Sequence, residues 1–177
     1  MGDFLLSKVL INLINLKDFD ALELLSHTAE KLSAGEILQI EKSLSKSMTE
    51  DVYYNMIYQK TASLISTSCE IGAITASKKK ADRRNLSSFG KNLGMAFQIK
   101  DDLFDLLGSA GSTGKDVAAD VRRNIVTLPL IYSYSNTSKA GTRHIKRILR
   151  NKHKTGDEVQ ELKTIIHENG GFKFAKT

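Results

Sequence analysis

The sequence has one cysteine, one proline and no tryptophan in 177 residues. The single Cys69 excludes an internal disulfide and fits a reducing compartment. No Cys/His group has zinc spacing. One proline and the lack of alternating apolar runs argue for helices over strands. No apolar run approaches the ~20 residues that a spanning helix needs. The opening MGDFLLSKVLINLINL has no basic start and no small-residue cleavage site, which argues against a secretory leader. A cytoplasmic chain with no transmembrane segment is expected.

What the chain does have is positive charge. Its formal net charge is +6. Lys78, Lys79 and Lys80 with Arg83 and Arg84 form one cluster. Residues 139–154 form another, with seven Lys/Arg and no acid. Such an excess suits nucleic acid, an anionic membrane surface or an anionic small molecule. A basic helical module gripping nucleic acid through 139–154 is one reading, but no DNA- or RNA-binding motif accompanies it. The expectation is no nucleic-acid partner. With 41% hydrophobic and 26% charged residues, the chain has the composition of one globular domain, or a large part of one.

Apolar spacing predicts an all-α fold. Phe4, Leu5, Val9, Leu10, Leu13 and Leu16 recur at helical intervals over Gly2–Leu16. A second helix is expected from Asp20, which forms a capping-box-like pair with Glu23, to about Ser43. Gly35 inside it allows a bend or a close helix contact. Thr49 reads as the N-cap of a helix reaching Ala76. After a basic turn comes a helix over Arg84–Leu107, where Gly90 and Gly94 suggest close packing. Gly108–Asn124 is expected to be a long loop. Shorter helices are predicted over Val126–Tyr134, Thr142–Arg150 and Asp157–Asn169. Phe172–Thr177 reads as the opening of one more.

The chain is organised around Phe97–Asp105, FQIKDDLFD. Three carboxylates fall within five residues of a helix read as buried. Gln98, Asp101, Asp102 and Asp105 lie three or four apart, on one face. Like charges repel at this spacing, and acids near a helix C-terminus oppose the dipole. A divalent cation with oxygen ligands would compensate, Mg²⁺ being the natural candidate. A solvated acidic helix end is the alternative. Lys60 and Thr61 are a second candidate pair. Lys60 is either a snorkelling lysine or a diphosphate contact, with the Thr61 hydroxyl beside it. Lys115, Arg122 and Arg123 lie in the long loop, which is a cationic lid or a solvated connector.

In combination, GDFL at 2–5, GEILQ at 35–39, QKTA at 59–62, FQIKDDLFD at 97–105, Gly114-Lys115, Asp120 and TLPLI at 127–131 resemble the trans-polyprenyl diphosphate synthases. The Asp-rich stretch is similar to that family's second aspartate-rich region. The resemblance covers Gly2 to about Phe174. It implies an isoprenoid-synthase-type helical bundle, incomplete at its N-terminal side, with 1–177 as the C-terminal part of a single domain. It implies head-to-tail condensation of isopentenyl diphosphate with an allylic diphosphate, and a homodimer. Asp101, Asp102 and Asp105 would bind Mg²⁺. Lys60, Thr61 and Lys115 would contact diphosphate, and Gln98 would help arrange the site.

Three departures stand out. The other aspartate-rich motif of the family is absent, so the chain supplies one side of the metal site. Ile125 replaces a lysine usual two residues before the Thr of TLPLI, with Arg122 or Arg123 as possible substitutes. Asp116 stands where proline commonly follows Gly-Lys. A fragment with little activity of its own, or a degenerate homologue that pairs with a complete synthase, both fit these departures.

Overall fold

The computed structural model describes residues 1–45, 47–108, 118–151 and 153–177. All regular structure among them is helical. The order is α1 Gly2–Leu16, α2 Phe19–Ser45, α3 Glu50–Ile57, a π-helical turn Tyr58–Ala62, α4 Ser63–Ala76, α5 Lys80–Leu107, α6 Ala119–Arg122, α7 Leu128–Ser135, α8 Lys139–Arg150, α9 Gly156–Glu168 and α10 Gly171–Phe174.

The helix boundaries follow local chemistry, with some shifts from expectation. Asp18, rather than Asp20, opens α2: its carboxylate accepts from the Ala21 N–H at 3.0 Å. Thr49 caps α3 as predicted, through the Val52 N–H at 3.4 Å. Ser138 starts α8 earlier than expected by accepting from the Gly141 N–H. Thr155 and Glu158 form a reciprocal capping box on α9. The helix predicted from Thr49 to Ala76 is interrupted by the π turn, a distortion that hydrophobic spacing does not encode.

The chain divides into two compact units. The first holds residues 1–36 and 57–95. Its interior is built from small side chains. Ala21, Ala62 and Ala73 are fully or almost fully buried. Thr28 and Thr67 share a buried hydroxyl–hydroxyl hydrogen bond of 2.6 Å. Small residues let backbones approach. A Cβ on Gly94 would stand 2.5 Å from the Ala62 Cα. The Ser66 hydroxyl donates to the Ser87 carbonyl at 2.8 Å along the same α4–α5 seam.

The second unit holds residues 37–56 and 96–177. Its core is conventional, with Leu103, Leu106, Val121, Leu130, Ile145, Ile148, Leu162 and Ile166 buried. At ~1.5–3 kcal/mol per fully buried aliphatic side chain, these dominate the unit's stability. The α10 turn lies against α7, where Tyr132 stacks on Phe174 with ring centroids 4.2 Å apart.

One expectation is corrected. The helix carrying FQIKDDLFD is not buried all round. Phe89, Leu93, Phe97, Phe104 and Leu107 are exposed, while Leu103 and Leu106 are buried. A helix has one face per neighbour, and apolar residues flanking the motif in sequence fall on both faces.

Two glycines give opposite expectations. Gly94→Ala should lower stability by about 1–3 kcal/mol, because the new methyl meets a backbone rather than a flexible side chain. Gly72→Ala, with nothing within 4 Å of the added Cβ, should raise it by up to ~1 kcal/mol. Urea unfolding of the two variants checks both signs.

Candidate functional site

The carboxylates at the end of α5 have three different environments. Asp102 is buried, with 6% of its surface exposed. The Tyr53 hydroxyl donates to its Oδ2 at 2.7 Å. The Gln98 side-chain amide donates to its Oδ1 at 2.9 Å. Burial is the largest influence and raises the Asp102 pKa, to about 6; the two donors pull it down, and the Asp120 and Asp101 charges push it up. Tyr53 is fully buried on α3. Burial, then the Asp102 charge, hold its phenol far above the usual range, so it stays a donor.

Asp105 faces the chain where it returns at residue 118. Its Oδ1 accepts from the Ala119 N–H at 3.0 Å and its Oδ2 from the Asp120 N–H at 3.1 Å. Its carbonyl accepts from the Ala118 N–H at 3.1 Å, where Ala118 adopts a left-handed conformation with φ 56°. Lys163 on α9 is close enough for the Asp105 charge to counter the lowering of its pKa by burial.

The Asp101 side chain is exposed and makes no hydrogen bond or ion pair with the described residues. Among those residues, no group of three His, Cys, Asp or Glu side chains is placed to hold a metal. The donor set still suits a hard cation. Asp101 offers an open carboxylate, and each Asp102 oxygen keeps a second lone pair beyond its one hydrogen bond. Mg²⁺ is commonly held by one or two carboxylates, with phosphate oxygens and water completing its shell.

Lys60 and Thr61 lie in the first unit, on the π turn. A Cβ on Gly35 would stand 2.8 Å from the Lys60 backbone nitrogen, so α2 meets the turn at backbone distance. The next residue, Glu36, pairs with Lys60 at 3.1 Å. Gly35-Glu36 and Lys60-Thr61, read separately in the sequence, are therefore one local arrangement. Lys115, with Gly114 and Asp116, lies outside the described residues. Of the two arginines near Ile125, Arg122 donates to the Lys154 carbonyl at 2.8 Å, while Arg123 is exposed.

Sequence reasoning missed Tyr53, Lys163 and Lys154. Tyr53 reads as an ordinary apolar helix position. Lys154 is 5% exposed, with its ammonium donating to Asn124 Oδ1 at 2.6 Å and to the Asn151 carbonyl at 3.0 Å. It sits in a basic run that reads as a solvated face.

The raised Asp102 pKa gives a signed expectation. Between the unfolded value near 4 and the folded value near 6, the folded chain binds the extra proton. Stability from this group is therefore present at low pH and is lost as pH rises through 6. In EDTA, wild type should lose on the order of 3 kcal/mol relative to Asp102→Asn between pH 4 and pH 7. Denaturant titrations at a series of pH values read that difference.

Comparison with known proteins bears on the family and the fold. The polyprenyl synthetase family profile matches residues 1–166. A mitochondrial solanesyl-diphosphate synthase 1 from Oryza sativa subsp. japonica is 41% identical over 133 residues, covering 75% of this chain and 31% of the relative. The octaprenyl diphosphate synthase of Escherichia coli K12 is 28% identical over 171 residues, covering 97% of this chain and 48% of the relative. A decaprenyl diphosphate synthase structure from Rhodobacter capsulatus superposes with a TM-score of 0.89 at 26% identity, over 98% of this chain and 54% of that one. A polyprenyl synthase from Caulobacter crescentus, complexed with calcium and isoprenyl diphosphate, gives a TM-score of 0.89 at 28% identity, over 98% and 53%. The chain thus spans about a third to a half of the relatives' length. The all-helical architecture, the Asp-bearing end of α5 and the profile match together place this chain in the polyprenyl synthetase family.

Proposed function

We propose that this chain contributes one wall of a prenyltransferase site, for the condensation of isopentenyl diphosphate with an allylic diphosphate. The observation that carries the reading is the exposed Asp101 carboxylate beside an Asp102 fixed by Tyr53 and Gln98. Asp101, Asp102 and Asp105 would hold Mg²⁺, which supplies positive charge to the diphosphate leaving group. Asp105, with both oxygens accepting from backbone N–H groups, also anchors the returning chain. Lys60, Thr61 and Lys115 are proposed diphosphate contacts. Gln98 is proposed to orient Asp102.

The residue types suit the chemistry. Ionisation breaks the allylic carbon–oxygen bond, leaving negative charge on diphosphate and positive charge on carbon. Cations facing the leaving group favour that separation. The alkene of isopentenyl diphosphate supplies the electron pair for the new carbon–carbon bond and then loses a proton. No serine or cysteine nucleophile is required. Exposed Phe97 and Phe104 offer apolar surface beside the carboxylates, suited to an isoprenoid chain shielded from water. A homodimer and a cytoplasmic setting belong to the same proposal. No helix of the described residues is long and apolar enough to cross a membrane.

A second reading is a non-catalytic subunit that pairs with a complete synthase. Ile125, two residues before the Thr of TLPLI where the family resemblance would place a lysine, favours it.

Three measurements follow from these readings. The isolated chain with Mg²⁺, isopentenyl diphosphate and farnesyl diphosphate should give little or no elongated product; robust elongation would contradict the one-wall reading. Calorimetric titration of Mg²⁺ with inorganic diphosphate should show binding that Asp101→Asn weakens about tenfold or more, equivalent to ~1.4 kcal/mol. Tyr53→Phe should cost about 1.5–3 kcal/mol of stability at neutral pH, read by urea unfolding, by removing a hydrogen bond to a charged group.

A further inference from the structure

The second unit contains a cleft of about 590 Å³, away from the carboxylates of α5 in the sequence and lined by α7, α8 and the start of α3. That size lies within the ~300–1,000 Å³ typical of small-molecule sites. Its floor is apolar: Val126, Leu130, Ile131 and Leu149 line it. Its cations are Lys146 and Arg150, four residues apart and so on one side of α8. Lys146 lies over the Tyr134 ring, 5.4 Å from its centroid, which holds the ammonium at the cleft. Glu50 also lines the cleft, and the Tyr54 phenol hydrogen-bonds to it. Two cations therefore face one acid that already has a donor.

These two cations belong to a longer stripe. Lys139, Arg143, Lys146 and Arg150 are three or four residues apart and exposed, opposite the buried Ile145, Ile148 and Leu149. Among the described residues, none of the four takes part in an ion pair. The apolar face of α8 is used within the fold, so this helix cannot insert into a lipid surface by that face. An anion that also carries an apolar chain would satisfy both the cations and the cleft floor.

We propose that this cleft is a second, metal-independent site for a prenyl diphosphate. Its diphosphate sits against Lys146 and Arg150, and its hydrocarbon lies on Leu130, Ile131 and Leu149. The ligand class rests on the prenyltransferase reading; the cleft and its charge do not. A site of this kind would hold substrate or product away from the carboxylates, and its occupancy would need no divalent cation.

Calorimetric titration of the full 177-residue chain with farnesyl diphosphate in EDTA tests this. Binding is expected, with inorganic diphosphate about tenfold weaker or worse because it lacks the chain. The double variant Lys146→Ala/Arg150→Ala should weaken farnesyl diphosphate binding by about tenfold or more. Ser135→Trp, at an exposed position lining the cleft, should weaken it by obstruction while leaving both cations. Circular dichroism confirms that each variant is folded. No binding in EDTA, equal affinity for inorganic and farnesyl diphosphate, or unchanged binding in both variants would each overturn the proposal. So would capture of anionic phospholipid vesicles through Lys146 and Arg150 without binding of farnesyl diphosphate. Asp101→Asn should leave the EDTA binding in place, so that failure of the metal-dependent reading and failure of this one are read separately.

Discussion

The hydrogen bond between Tyr53 and Asp102 is the contact on which the candidate site depends. A carboxylate removed from water is costly unless donors replace the lost hydration. Here the phenol and the Gln98 amide supply two donors, one to each oxygen. That places Asp102 in one rotamer and ties the end of α5 to α3. Asp101 is the preceding residue, so the same tie sets the backbone from which its carboxylate projects. A buried acid thus acts as the support for an exposed one. The three acids have separate environments, yet the Asp101 charge still helps to raise the Asp102 pKa.

The first unit meets a different constraint, the close approach of backbones. Gly35 allows α2 to reach the Lys60 backbone, and Gly94 allows α5 to reach Ala62 at the other end of the same turn. The π turn lies between these contacts. Such turns have a wider hydrogen-bond register than an α-helix and are frequent at functional positions. Lys60 and Thr61 owe their placement to that packing. The Glu36 pair adds little energy at its exposure, but it gives the Lys60 ammonium a defined direction.

Much of this was legible in the sequence. Helical spacing located nearly every long element, and the Thr49 cap and close packing at Gly94 followed from residue type. The grouping of Gln98 with Asp102 followed from four-residue periodicity. Tyr53 did not, because its partner lies 49 residues away and a buried tyrosine looks like any other apolar position. The separate environments of Asp101, Asp102 and Asp105 were equally hidden. Spacing along a helix tells which side chains share a face, not which of them finds a donor across it. The exposure of Phe89 and Phe97 was missed for a related reason: apolar character does not reveal whether a neighbouring element covers it. The π turn at Lys60 arises from contacts on both sides of the helix, and a local pattern carries no record of them.

Asp105 has one further consequence. Its carbonyl and carboxylate accept from the backbone N–H groups of Ala118, Ala119 and Asp120. Three hydrogen bonds therefore join residue 105 to residues 118–120, so a substitution that shifts the Ala118 backbone pulls directly on the end of α5 that carries Asp101 and Asp102.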